Sequence, residues 1–288
     1  MHPDTAEATD TCPALSAAAA FREFFHREGY LVLRGALPTE VCAEAVDGFL
    51  KEVHLDTRAL FQRHAGAGYA THVYTGAGHM RHPIVNLPDI SGRRYPQFKA
   101  ASMALLTDPL LRRAMETLLG EPVRLVRSMY FDGHQTTGPH RDAGCPSDGR
   151  AMIGAWIAAE DIDPGAGRFF VLPGSHLQDF PAERALMAPP MRQGDVLIWN
   201  ALTIHGSLAA TTPECSRRSF TGYYTGRSQR SGGAGVMLGG MEVLHHSDHR
   251  SLAGRAAILL RSEYPGAYSV LRRLRQLRPW PSDSSAGS

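Results

Sequence analysis

From residue 123 onward the chain breaks into short β-rich runs, VRLVRSMYF, AMIGAWIAA, GRFFVLP, DVLIWN, TIHGSLA and RRSFTGYY, divided by turn signals and never by a long helix. A parallel sheet needs a crossover helix between strands, so runs spaced this closely must pair antiparallel, in a sandwich or barrel. The expected core is a jelly roll, mainly β, with helices confined to its flanks. The N-terminal flank opens with ALSAAAAFREFFHREGY, a helix with Phe21, Phe24 and Phe25 on one face and Gly29 as its stop. YLVLRGAL follows as a short β stretch. Pro38 then opens PTEVCAEAVDGFLKEV, whose Val41, Ala45, Phe49 and Val53 recur at helical spacing. Helices are also expected over 97–106 and 108–119, ending at Gly120. SLAGRAAILLRSEYPGAYSVLRRLRQL forms the C-terminal flank, one or two helices broken at Pro265 and Gly266. Residues 55–96 hold Gly, His, Tyr and Pro without periodicity, as a binding loop or lid would.

A chain of 288 residues with 43% apolar content supports one sizeable core, so 14–280 is expected to be a single domain, with 1–13 and 281–288 as flexible termini. A net charge of +2 gives no electrostatic case for a nucleic-acid partner. The basic Arg272, Arg273, Arg275 and Arg278 read as the solvated face of a terminal helix. Cys12, Cys42, Cys145 and Cys215 form no CxxC pair, which indicates neither a zinc ribbon nor a disulfide framework and suits a reducing cytoplasm. No signal pattern and no apolar run of membrane length is present, so a cytoplasmic protein without a membrane partner is expected.

The chemistry concentrates in GPHRDAG. His140 and Asp142 stand two residues apart after a β run, and on a strand such residues share a face, so an imidazole and a carboxylate are delivered side by side. A third ligand must come from elsewhere in the chain. His205, in WNALTIHGS, ends another strand-like run. Two imidazoles and one carboxylate on one face of an octahedral ion leave three positions open, which suits Fe(II) with a bidentate co-substrate and O2. Zinc with the same ligands activates water and needs a nearby general base, and the residues around His140 and His205 offer none. The HHSDH tract with His245, His246 and His249 has the composition of a metal site but no strand pattern to position it, and reads as a solvated loop.

The order of several blocks resembles the phytanoyl-CoA dioxygenase family of Fe(II)/2-oxoglutarate oxygenases, which includes ectoine hydroxylases. The resemblance runs through FREFFHREGYLVLRGALPTE, GPHRDAG, AWIAAEDIDPGAGRFFVLPGSH, MRQGDVLIWNALTIHGS and SRRSFTGYY. It covers roughly residues 20–225, with 55–96 and 177–190 matching poorly. It implies a double-stranded β-helix of cupin-like form, with His140, Asp142 and His205 as iron ligands and 2-oxoglutarate and O2 as co-substrates. The reaction implied is hydroxylation of an unactivated C–H bond of a small-molecule substrate, with release of succinate and CO2. Asp142 favours hydroxylation, since related halogenases carry a small residue there. The family's co-substrate arginine lies shortly after the distal histidine, where this chain offers Arg217 and Arg218. Alignment places Arg217 at that position and Ser219 on the same face, although the connection LAATTPECS is longer than usual. Trp156 reads as pocket wall or as core, and Tyr130 is similar to a position that contacts the co-substrate. His176, in PGSH, is implied to be structural. A substrate would meet residues of the loop such as His72, Tyr74, His79 and Arg81, with Arg81 and Arg127 suiting an acidic one. A catalytically silent cupin-like metal-binding or sensing protein and a zinc hydrolase remain as rival readings.

Overall fold

The computed structural model describes residues 15–62, 69–142, 152–177, 185–229, 235–245 and 252–276. The first half carries α1 (Ala18–Glu28), β1 (Tyr30–Leu33), α2 (Thr39–Gly48), β2 (Phe61–Gln62), β3 (Tyr69–Ala70), β4 (Ile84–Val85), α3 (Pro96–Leu106) and α4 (Pro109–Leu119). Nine strands follow: β5 (Val123–Phe131), β6 (Thr137–His140), β7 (Met152–Ala158), β8 (Phe169–Val171), β9 (Val196–Asn200), β10 (His205–Ser207), β11 (Ser219–Gly226), β12 (Gly235–Leu238) and β13 (Met241–Leu244). Helices α5 (Leu252–Glu263) and α6 (Pro265–Gln276) close the chain. Cys12, Cys145, His246, His249, Arg278 and both expected flexible termini lie outside the described residues, as do the side chains of Arg272 and Arg275.

The strands form the expected jelly roll. A large sheet runs β1-β9-β7-β11-β5-β13-β12, with β4 also on β5, and a small sheet runs β6-β10-β8. Among the described residues only β13 with β5 pairs parallel. Alternation along the large sheet gives it two chemically different faces. Leu31, Ile153, Ile157, Ile198, Phe220 and Tyr224 point to the helices, where they pack with Phe21, Phe49, Phe98 and Leu111. Each fully buried side chain of that size contributes about 1.5–3 kcal/mol. The other face carries Tyr30, Val32, Met129, Trp156, Trp199 and Tyr223, and Phe169 and Val171 of the small sheet pack onto it.

Two local features position the site. On β5, Leu125 pairs with Tyr224 and Arg127 with Tyr223, so Val126 is an extra residue, a β-bulge. On β7, Gly154 lies opposite Trp199. A Cβ there would stand 2.2 Å from Trp199 Cζ2, so only a glycine lets the indole lie across the strand. Gly154→Ala is expected to destabilise the fold by about 1–3 kcal/mol, read as a lowered urea midpoint, because a fully packed indole has nowhere to move.

The flanks follow the sequence with one change. Gly29 ends α1 at φ 75, its N–H donating to Phe25 O at 2.7 Å. The expected helix through Val53 is regular only to Gly48 and then widens into a π turn over Phe49–Val53. That turn seats Phe49 against Phe98 and Tyr130, with centroids 5.8 and 4.7 Å away. Pro265 opens α6, a position that needs no amide hydrogen bond. No helix among the described residues is long and apolar enough to cross a membrane.

Candidate metal centre and its cavity

Antiparallel pairing of β6 with β10 sets His140 directly opposite His205, with ring centroids 4.4 Å apart. Asp142 follows just beyond β6, where its amide N–H donates to Ala201 O at 3.0 Å. One potential ligand atom from each of His140, Asp142 and His205 lies within 4.8 Å of the others, and among the described residues this is the one such cluster. Both imidazoles are oriented by backbone. His140 Nδ1 donates to Gly138 O at 2.9 Å and His205 Nδ1 to Thr203 O at 2.8 Å, which leaves each Nε2 as a lone-pair donor. Burial pushes the His205 imidazole below its ordinary pKa, against the pull of Asp142, and so favours the neutral form that can ligate.

Asp142 is held from two sides. Trp199 Nε1 donates to Oδ2 and the Tyr223 hydroxyl donates to Oδ1, both at 3.0 Å. Burial, reinforced by this carboxylate, holds the Tyr223 hydroxyl far above the usual phenol range, so it stays a donor. Neither residue was singled out from sequence. Tyr223 had a readable signal: alternation from Arg217 through Ser219 and Thr221 reaches it on the same face.

The triad opens into a cavity of about 350 Å3 with apolar walls from Met129, Phe131, Trp156 and Phe169. That size suits a small organic ligand. Gln135, Thr137, Ser207 and Thr221 add polar groups, and Arg127, Arg141 and Arg217 add charge. Asp142 is the one carboxylate among the described lining residues. A second hollow beside Tyr69, Tyr95 and Arg261 holds only about 30 Å3, room for roughly a water or two.

Adjacent arginines face opposite ways. Arg217 lines the cavity at 3% exposure, with Nη1 donating to Gly167 O at 2.8 Å and Nη2 to Gln135 O at 3.3 Å. Its Nε has no partner among the described residues, and burial pushes its pKa down to about 10. Arg218 instead forks onto Asp132 at 3.1 Å and Glu160 at 3.0 Å, away from the cavity. Ser219 is fully buried and donates to Arg217 O at 3.3 Å, without lining the cavity. Trp156 does line it, stacked on Phe169 with centroids 5.7 Å apart.

Several expected contacts fall elsewhere. Tyr130 is not at the cavity: it is wholly buried on the helix-facing side of β5, between Phe49 and Phe98, because the bulge at Val126 reverses the alternation before it. Of the loop candidates, His72 stacks on Phe61 at 4.3 Å, Tyr74 donates to His54 O at 2.8 Å and His79 to Glu214 O at 3.0 Å, while Arg81 is exposed. Within 55–96 only Pro83, among the described residues, lines the cavity. His176 donates to His26 O at 3.0 Å, a structural contact, and His245 meets Asp89 at 2.7 Å.

The fold is similar to that of SnoN, described as a non-haem alpha-ketoglutarate-dependent epimerase from nogalamycin biosynthesis: 22% identity and TM-score 0.57 over 79% of this chain and 88% of that one. It is similar also to EctD from S. alaskensis with bound Fe, at 21% identity and TM-score 0.53 over 77% and 80% of the chains. AviO1 from Streptomyces viridochromogenes follows at 19% identity and TM-score 0.54 over 77% and 99%. No curated protein sequence matches the chain. The family model described as phytanoyl-CoA dioxygenase (PhyH) matches residues 25–219, from within α1 to the first residue of β11, a stretch containing His140, Asp142, His205 and Arg217. With that match spanning most of its length, the chain belongs to the phytanoyl-CoA dioxygenase family.

Proposed function

We propose that His140, Asp142 and His205 hold Fe(II), that Arg217 receives the distal carboxylate of 2-oxoglutarate, and that the protein hydroxylates an unactivated C–H bond of a small-molecule metabolite. One observation carries this reading: a two-histidine, one-carboxylate face opens into the same cavity as a buried guanidinium that has no carboxylate partner among the described residues. The ligand set leaves three coordination positions for a chelating co-substrate and O2. A guanidinium fork matches a carboxylate bidentately, and the unpartnered Nε of Arg217 is a donor such an anion could use.

Bound in this setting, iron with O2 and 2-oxoglutarate supplies the oxidising equivalents for hydroxylation, with succinate and CO2 released. The chain's own residues do the positioning. The Gly138 and Thr203 carbonyls fix both imidazole tautomers, Trp199 and Tyr223 fix the carboxylate, and Trp156 and Phe169 keep one wall dry. Retention of Asp142 favours oxygen transfer over halide transfer. The zinc-hydrolase reading lacks a base among the described residues, because the one carboxylate of theirs that lines the cavity is already in the ligand set. The silent-protein reading leaves the enclosure of Arg217 without purpose.

Fe(II)-loaded protein should convert 2-oxoglutarate to succinate, and the true substrate should gain one oxygen by mass spectrometry. Consumption of 2-oxoglutarate with a product of unchanged composition would point to isomerisation, the class of reaction printed for SnoN. Activity with zinc and indifferent to 2-oxoglutarate would overturn the whole reading. Trp199→Phe and Tyr223→Phe each remove one hydrogen bond to Asp142, and each should weaken metal affinity by about 10–100-fold in a chelator competition.

A further inference from the structure

Arg127 is left over once these roles are filled. Beyond the bulge it stands opposite Tyr223 and points into the cavity, on the same face as Met129 and Phe131. It is half-buried, and no carboxylate among the described residues pairs with it. The third guanidinium, Arg141, is engaged with the Leu202 and Ser175 carbonyls, both at 2.8 Å. Among the described residues the cavity thus sets three guanidinium groups against the one carboxylate of Asp142. A divalent metal and a doubly charged co-substrate cancel one another, so the surplus of positive charge persists with both bound. Between apolar walls that surplus attracts a further anion far more strongly than it would in water.

Geometry separates this charge from the co-substrate's. The Arg217 amide donates to Asp132 O, five residues along from Arg127, or roughly 16 Å of strand at about 3.3 Å per residue. The two side chains therefore leave backbone positions that far apart along the strand, and Arg127 lies beside the Tyr223 that holds Asp142. We infer that Arg127 receives the anionic group of the primary substrate, a carboxylate or phosphate on a molecule whose apolar body packs along Met129 and Phe131. The inference deepens the proposed function and rests on its assignment of 2-oxoglutarate to Arg217.

The test is calorimetric titration, without O2, of protein saturated with Fe(II) and 2-oxoglutarate, using phenylacetate, phenyl phosphate and neutral phenylacetamide as probes. At least one anion should bind about tenfold or more tightly than the amide. Arg127→Gln should erase that preference and Arg127→Lys should keep part of it, with 2-oxoglutarate affinity in both within about twofold of wild type and unchanged melting temperatures. Equal binding of anions and amide, binding of none of the three, or an intact preference in Arg127→Gln overturns the inference. A tenfold loss of 2-oxoglutarate affinity in that variant overturns it too, by making Arg127 a co-substrate residue. Failure of the wild-type protein to bind 2-oxoglutarate strikes the Arg217 assignment instead, and the same probe series on protein with Fe(II) alone then still decides the role of Arg127.

Discussion

His140→Ala, Asp142→Ala and His205→Ala are each expected to lower Fe(II)-dependent succinate formation by more than about 100-fold. Replacing residues that only orient a ligand costs about 10–100-fold, and these three are proposed to be the ligands themselves. Their effects on the fold should differ. His140 is exposed, so its loss leaves stability unchanged, whereas Asp142→Ala strands the Trp199 and Tyr223 donors and should cost about 1–3 kcal/mol. Iron content per chain, measured beside succinate, separates lost binding from lost chemistry. Near wild-type succinate from any one variant removes that residue from the ligand set.

The adjacent arginines should give opposite results when each is changed to methionine, which keeps the apolar stem and removes the fork. Arg217→Met should weaken 2-oxoglutarate by about 2–5 kcal/mol, well over tenfold in Kd, because the co-substrate carboxylate loses its buried partner. Arg218→Met should leave that affinity alone. It instead strips the counter-ion from Asp132, whose side chain is 1% exposed, and from Glu160, at a cost of about 3–5 kcal/mol in urea unfolding. If both losses fell on the same variant, the opposite facing of the two side chains would be wrong for the protein in solution.

The strands, the flanking helices and the His-Asp-His cluster were legible because each rests on short-range periodicity or on a motif that a strand turns directly into geometry. That Arg217 and Arg218 face opposite ways followed from alternation, and that Arg217 is the inward one followed from the resemblance. Tyr130, expected at the site from the resemblance, shows where alternation stops helping. Regular alternation from the helix-facing Leu125 would bring residue 130 to the cavity, but one extra residue at Val126 reverses the phase, and a bulge leaves no mark in residue type. Arg127 owes its cavity position to the same reversal. The segment 55–96 was opaque for another reason. Its His72, Tyr74 and His79 pack on Phe61, His54 and Glu214, partners set by tertiary contact and without any periodic trace.

The enclosure of Arg217 also bears on how stable the molecule is. A guanidinium whose pKa falls to about 10 on folding is harder to keep charged in the folded chain than in the unfolded one. The folded state therefore carries a penalty of roughly 3 kcal/mol at every pH below about 10, and the penalty fades only as pH climbs above that value. Bonds to two carbonyls offset part of it. An anion seated on the fork offsets more, by mass action worth about 2.7 kcal/mol at a hundred times its dissociation constant. A protein so arranged is expected to be more stable with an anion on the fork than without one, read as a rise in melting temperature when 2-oxoglutarate is added.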